Sequence, residues 1–101
     1  MDAMKVKRIA IVTGATGGLG REFVHLLLKE KNVDEIWALA RNEKKLGRLK
    51  EKFGQKVKIY SIDLSSVRQI QCFEEELKQE AQRRKLEISY LINNAGFAKF
   101  C

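Results

Sequence analysis

The sequence has no proline, one histidine, one tryptophan and only two cysteines in its 101 residues. Each scarcity removes a class of explanation. Without proline there is no Pro-rich linker or low-complexity tract, so a single pattern of elements can run unbroken through the chain. Cys72 and Cys101 form no C-x-x-C pair and stand apart from His25, which argues against a zinc site and a disulfide framework. Reduced thiols in a cytoplasmic protein are expected. Long apolar stretches are also absent. Ile9–Val12, Leu26–Leu28 and Tyr90–Ile92 fall far short of the roughly 20 residues that cross a bilayer, and no small-residue cleavage site follows a long apolar core. Neither a membrane span nor a signal peptide is expected.

What is present suits one small globular domain. Hydrophobic residues make up 45% of the chain and charged residues 33%, which is enough apolar material for one core and too much for a disordered tail. The 20 Lys and Arg against 13 Asp and Glu leave a net charge of +7, which raises a nucleic-acid partner as a hypothesis. The basic residues are interleaved with acids, as in Lys29-Glu30-Lys31 and Lys50-Glu51-Lys52, the pattern of solvated helix faces. No helix-turn-helix, RNP-like or zinc-finger pattern accompanies them, so no nucleic-acid partner is expected.

Periodicity supplies the organisation. Lys7 to Thr13 is a β-branched run ending at glycines, which predicts a strand buried on both faces. Gly18 to Lys31 carries Leu19, Phe23, Leu26 and Leu27 at helical spacing, with Glu22, His25 and Lys29 opposite. Glu35 to Ala40 is a second strand. Asn42 can cap a helix with inner face Leu46, Leu49 and Phe53, which ends at Gly54. Val57 to Ile62 is a third strand. Ser65 or Ser66 can cap a long helix lined by Val67, Ile70, Phe73, Leu77 and Ala81, and Glu87 to Asn93 is a fourth strand. The string βαβαβαβ has connections too long for hairpins, so an α/β fold with parallel strands and right-handed crossovers is expected: a partial doubly wound, Rossmann-type sheet.

The loop Thr13-Gly14-Ala15-Thr16-Gly17-Gly18-Leu19-Gly20 joins the first strand to the first helix. A helix N-terminus offers unpaired N–H groups and about half a positive charge, so glycines that let a phosphate approach make an anion site there. Gly14 suits the tight turn, Gly18 close phosphate approach, and Gly20 close packing of helix on strand. The competing reading is a mere connecting turn. A P-loop is disfavoured because no Lys-Ser or Lys-Thr follows the glycines.

Thr13 to Gly20 as T-G-x-x-x-G-x-G, Asp63-Leu64 after the third strand and Asn93-Asn94-Ala95-Gly96 after the fourth together resemble the short-chain dehydrogenase/reductase family. The three motifs occur in the family's order and span essentially the whole chain. The resemblance implies that Gly14, Thr16, Gly18 and Gly20 line a cofactor pyrophosphate, with Leu19 adding a backbone contact. It implies that Asp63 bonds the adenine amino group and Leu64 flanks the ring, an Asx turn at Asp63 being the alternative. Asn93, Ala95 and Gly96 would lie beside the adenosine ribose, and Asn94 would tie the central strands together. An asparagine serving only loop backbone is the alternative there.

An NAD site of this type carries an acid at the end of the second strand to bind the ribose hydroxyls. Here that position is Ala40, followed by Arg41. Loss of the acid removes repulsion of a 2′-phosphate, and a guanidinium can grip one through two parallel hydrogen bonds. NADP(H) is therefore expected over NAD(H), with Arg41 and Asn42 at the phosphate and Lys45 assisting. A salt bridge from Arg41 to Glu43 or Glu35 is the competing reading.

The resemblance also implies hydride transfer between NADP(H) and a carbonyl or alcohol by a Ser, a Tyr-x-x-x-Lys pair and an Asn. Tyr60 and Tyr90 are followed four positions on by Leu64 and Asn94, so neither makes the pair, and both read as packing residues. The chain is expected to be the amino-terminal, cofactor-binding part of one such domain, with strand order 3-2-1-4 and no catalytic residues of its own. A small-molecule substrate is expected for the complete protein. The fourth strand would leave Ile88, Leu91 and Ile92 uncovered, which predicts partner pairing or a homo-oligomer. A non-catalytic NADP-binding or redox-sensing module is the other reading.

Overall fold

Seven alternating elements fold by packing two central, doubly buried strands between amphipathic helices. The computed structural model describes residues 6–94 as β1 (Lys7–Thr13), α1 (Gly18–Leu27), β2 (Glu35–Ala40), α2 (Glu43–Phe53), β3 (Val57–Ser61), α3 (Val67–Arg83) and β4 (Leu86–Asn93). All four strands are parallel, in the order β3-β2-β1-β4. The expected architecture and strand order are both observed. No helix among the described residues is long and apolar enough to cross a membrane.

Side-chain alternation along β1 and β2 divides the core into two layers. Ala10, Val12, Ile36 and Ala38 face α1 and α2, where Val24, Leu27, Leu46 and Leu49 complete a buried cluster. Ile9, Ile11, Trp37 and Leu39 face the other side, where Tyr60, Phe73 and Leu77 pack against them. Trp37, Tyr60 and Phe73 form an aromatic triangle with centroids 5.1 to 6.2 Å apart, so Tyr60 is a packing residue as expected.

Two helix faces differ from their expected composition. The buried stripe of α1 is Gly20, Val24 and Leu27, while Leu19 and Leu26 are 61% and 57% exposed. Gly20 must face the glycine loop, and that contact fixes the helix rotation. α1 also ends at Leu27 rather than Lys31. Its exit is held by Asp34, whose amide donates to the Arg8 carbonyl (2.7 Å) while its carboxylate accepts from the Arg8 amide (2.8 Å). On α3 only Phe73 and Leu77 pack on the core; Val67 and Ile70 are 69% and 39% exposed and Ala81 is exposed. The helix rests over β2 and β3 and leans on that one ridge. Asn42 and Ser66 cap α2 and α3 by accepting from the amides of Lys45 and Gln69.

β4 carries a bulge. Ile9 is opposite Ile88, but Ala10 is opposite Tyr90, so Ser89 is the extra residue and the pairing then runs on to Thr13 opposite Asn93. Ile88 and Leu91 are exposed on this strand, as expected, whereas Ile92 is half-buried against the core.

Candidate functional site

The registers Thr13↔Leu39, Ala40↔Ser61 and Thr13↔Asn93 align the carboxyl ends of all four strands along one rim of the sheet. In open α/β sheets this rim, next to the point where strand order reverses, is where ligands bind. Here the reversal lies between β1 and β4, and the glycine loop leaves β1 beside it.

Local chemistry shapes the loop. Gly14 has φ +61°, in the left-handed region that glycine adopts without cost. Gly20 is packed so closely on Gly14 that a Cβ would lie 2.8 Å from the Gly14 carbonyl carbon and 2.9 Å from the Ala15 Cα. A Cβ on Gly18 would meet nothing within 4 Å. The three motif glycines thus do different work: one turns the chain, one seats the helix, and one leaves open space.

That space faces an unsatisfied helix end. Gly17 begins α1 with no side-chain cap, the first turn contains no acid, and the amides of Gly18, Leu19 and Gly20 find no backbone acceptor among the described residues. Unpaired N–H groups and the helix dipole together favour an anion there.

Beside the loop lies a cleft of about 700 Å³ lined by Gly14, Thr16, Ala40, Arg41, Asn42, Lys45, Asp63, Leu64 and Ser65, with Leu39 and Ile62 at its base. Its size falls within the roughly 300 to 1,000 Å³ of small-molecule sites. Arg41 forms no ion pair among the described residues. Of its two candidate partners, Glu35 lies at the opposite end of β2 and is gripped by Arg84 through bonds of 2.6 and 3.0 Å. The Arg41 carbonyl accepts from the Ser61 hydroxyl (3.1 Å), which joins this corner to the end of β3. Asn42 Oδ1 is occupied as the α2 cap at 3.0 Å, and its amino group has no partner among the described residues.

Asp63 forms the Asx turn that the sequence admits and also lines the cleft. Its Oδ1 accepts from the Ser65 amide (2.9 Å) and hydroxyl (2.7 Å), and these bonds hold the carboxyl below its ordinary range, with the nearby charge of Arg41 a smaller cause. Asp63 is therefore an acceptor over a wide pH range. Ser65, which fixes it, is a cleft residue that the motif reading missed, although Asp-x-Ser is a recognisable Asx-turn signal.

Four expected site residues lie off this cleft lining: Gly18 and Leu19 are exposed at the α1 terminus, Gly20 is buried against Gly14, and Asn93 is at the β4 end. Asn93 Oδ1 lies 3.1 Å from the Thr13 hydroxyl, which accepts from the Asn94 amide at 2.8 Å. The central strands are thus tied by the Asn94 backbone and the Asn93 side chain, with Thr13 as the knot. Ala95 and Gly96 lie outside the described residues. No three His, Cys, Asp or Glu side chains among the described residues gather as a metal site.

Comparison with known proteins agrees with this geometry. The NADPH-dependent 1-acyldihydroxyacetone phosphate reductase of Saccharomyces cerevisiae is 35% identical over 91 residues, covering 89% of this chain and 29% of the yeast protein. A very-long-chain 3-oxoacyl-CoA reductase-like protein of Arabidopsis thaliana is 38% identical over 92 residues, covering 86% and 27% of the two chains. The crystal structure of NADPH-bound carbonyl reductase from chicken fatty liver superposes with a TM-score of 0.70 at 26% identity, over 93% of this chain and 36% of that one. The chain thus spans only 27 to 36% of the length of these relatives. The family model for short chain dehydrogenase matches residues 8–101, and the chain belongs to that family.

Proposed function

We propose that this chain forms the adenosine-binding part of an NADP(H) site in an oxidoreductase that transfers hydride between the cofactor and a small carbonyl or alcohol substrate. The observation that carries the reading is the open space over Gly18, which faces an uncapped helix terminus and lies beside a cleft lined by Arg41, a residue with no ion-pair partner among the described residues. The first feature suits a pyrophosphate, the second a 2′-phosphate. Two of the similar proteins, the yeast reductase and the chicken carbonyl reductase, are described with NADPH, which supports the choice.

In this reading the amides of Gly18, Leu19 and Gly20 hold the pyrophosphate oxygens, and the cofactor supplies the hydride chemistry. The Arg41 guanidinium and the Asn42 amino group take the 2′-phosphate, with the Lys45 ammonium adding attraction. Asp63 accepts from the adenine amino group while Leu64 flanks the ring, and Asn93, Ala95 and Gly96 border the ribose. Neither Tyr60 nor Tyr90 has a lysine four positions on, so the 101 residues by themselves are expected to oxidise no NADPH with any carbonyl. Titration of NADPH and NADH by fluorescence tests the proposal. NADPH should bind more tightly; equal affinities, or tighter NADH, would remove the role given to Arg41, and no binding of either would remove the site.

A further inference from the structure

A second concavity lies between α1 and α2. It has a volume of about 250 Å³ and is lined by Thr16, Arg21, Lys45, Arg48, Leu49 and Lys52, so four of its six lining residues are cations. The helical period explains the convergence. Lys45, Arg48, Leu49 and Lys52 stand at i, i+3, i+4 and i+7, one face of α2. Leu49 is only 4% exposed and forms the floor, while Arg21 projects from α1. At the Lys52 end the helices are joined by an edge-on contact between Phe53 and His25, ring centroids 5.8 Å apart, and the Lys52 ammonium sits 5.5 Å over the Phe53 ring.

Four like charges on one concave surface repel one another, and such clusters are ordinarily relieved by interleaved acids. α2 contains Glu43 and Glu51, and α1 contains Glu22, yet none of the three lines the groove. Among the described residues no ion pair engages Arg21, Lys45, Arg48 or Lys52. The ion pairs among the described residues lie instead at Arg8, Arg83 and Arg84. The floor is apolar, and apart from the Thr16 hydroxyl the lining side chains of the walls are cationic donors. A ligand that fits must therefore bring several negative charges and many acceptor oxygens in a small volume. At about 250 Å³ the groove sits just below the roughly 300 to 1,000 Å³ of ordinary ligand sites, which suits a compact anion.

From this convergence we infer that the groove between α1 and α2 is an anion subsite for a small molecule bearing clustered phosphate groups, distinct from the nucleotide cleft although Thr16 and Lys45 border both. The inference stands apart from the nucleotide proposal, because Arg21, Arg48 and Lys52 do not line that cleft.

Inorganic tripolyphosphate is the probe, followed by calorimetry and by NMR of the arginine and lysine side chains of the whole chain. Wild type should bind it, and the exposed double variant R48E/K52E should weaken binding at least about tenfold, or about 1.4 kcal/mol. K78E makes a charge reversal at an exposed position of α3, on the opposite face of the sheet, and should cost less than about threefold, since a distant exposed charge is largely screened. Circular dichroism checks that the variants are folded, and shifts at Arg21, Arg48 and Lys52 report the site directly in wild type. The inference fails if wild type shows no binding. It also fails if K78E loses as much per charge as R48E/K52E, which would mean net charge alone. Shifts confined to Arg41 would put the anion in the nucleotide cleft and overturn it as well. Tripolyphosphate binding in the groove by a chain that ignores NADPH would leave this inference intact and remove only the nucleotide reading.

Discussion

The side-chain oxygens of Thr13 and Asn93 lie 3.1 Å apart across the β1–β4 boundary, joining the end of the glycine-loop strand to the Asn-Asn motif. The same Thr13 hydroxyl accepts the Asn94 amide at 2.8 Å, and Thr13 is only 7% exposed. Thr13→Val keeps the shape and removes both bonds. It should destabilise the chain by about 1 kcal/mol, the cost of leaving the part-buried Asn94 amide and the Asn93 side-chain oxygen without their partner, whereas Thr13→Ser should stay close to wild type. Urea denaturation of the three proteins checks this.

Gly18 and Gly20 should behave oppositely when substituted. Gly20→Ala drives a methyl into the Gly14 backbone, which no side-chain rotation relieves, so a loss of about 3 kcal/mol or more is expected, with binding lost through unfolding. A Cβ at Gly18 meets only open space, so with Gly18→Val helix content should be retained while NADPH and NADH binding both disappear. Circular dichroism alongside nucleotide titration separates the two. A Gly18→Val protein that still binds would show that the phosphate does not lie over this turn.

Arg41→Glu reverses an exposed charge that has no ion-pair partner among the described residues, so little stability should be lost. NADPH affinity should fall by about 1 to 3 kcal/mol through loss of charge-assisted bonds and added repulsion. NADH affinity should change little. Paired titrations read the difference, and equal losses for both cofactors would point to general damage.

Stability should depend on pH at both ends of the scale. Bonds from Arg84, and next from Trp37, hold the Glu35 carboxyl below its ordinary 4.5, outweighing partial burial. A lowered folded pKa means the stabilisation is complete above 4.5 and lost as pH falls through the lowered value, so Glu35→Gln should flatten the acid limb. Burial pushes the Tyr60 phenol from 10.0 up to about 12. Between those values the unfolded chain loses its proton first, so stability falls as pH rises, and Tyr60→Phe should remove that decline. Urea midpoints against pH measure both.

Much of the fold was legible because the strands are apolar runs bounded by glycines and helix caps. Ile9–Val12 and Ile36–Ala40 are buried on both faces and cannot be read as anything exposed. Asn42 and Gly54 mark the ends of α2 in sequence and in structure alike. Helix rotation was less legible. Leu19, Leu26 and Val67 are apolar at helical spacing yet exposed, because a contact elsewhere on each helix determined which face met the sheet.

The motifs of the proposed nucleotide site were decided locally: a left-handed turn at Gly14, a residue without a side chain at Gly18 and an Asx turn at Asp63 follow from residues within a few positions of one another. Sequence also determined the order βαβαβαβ, since period and caps are local properties. Tertiary structure alone decided the bulge at Ser89 that brings Asn93 opposite Thr13, because strand register is a pairing between segments some 80 positions apart. It alone brought Glu35 to Arg84, and it alone gathered Arg21 with Lys45, Arg48 and Lys52. Charges that look interleaved along the chain become a single cationic groove only when two helices lie side by side on one sheet.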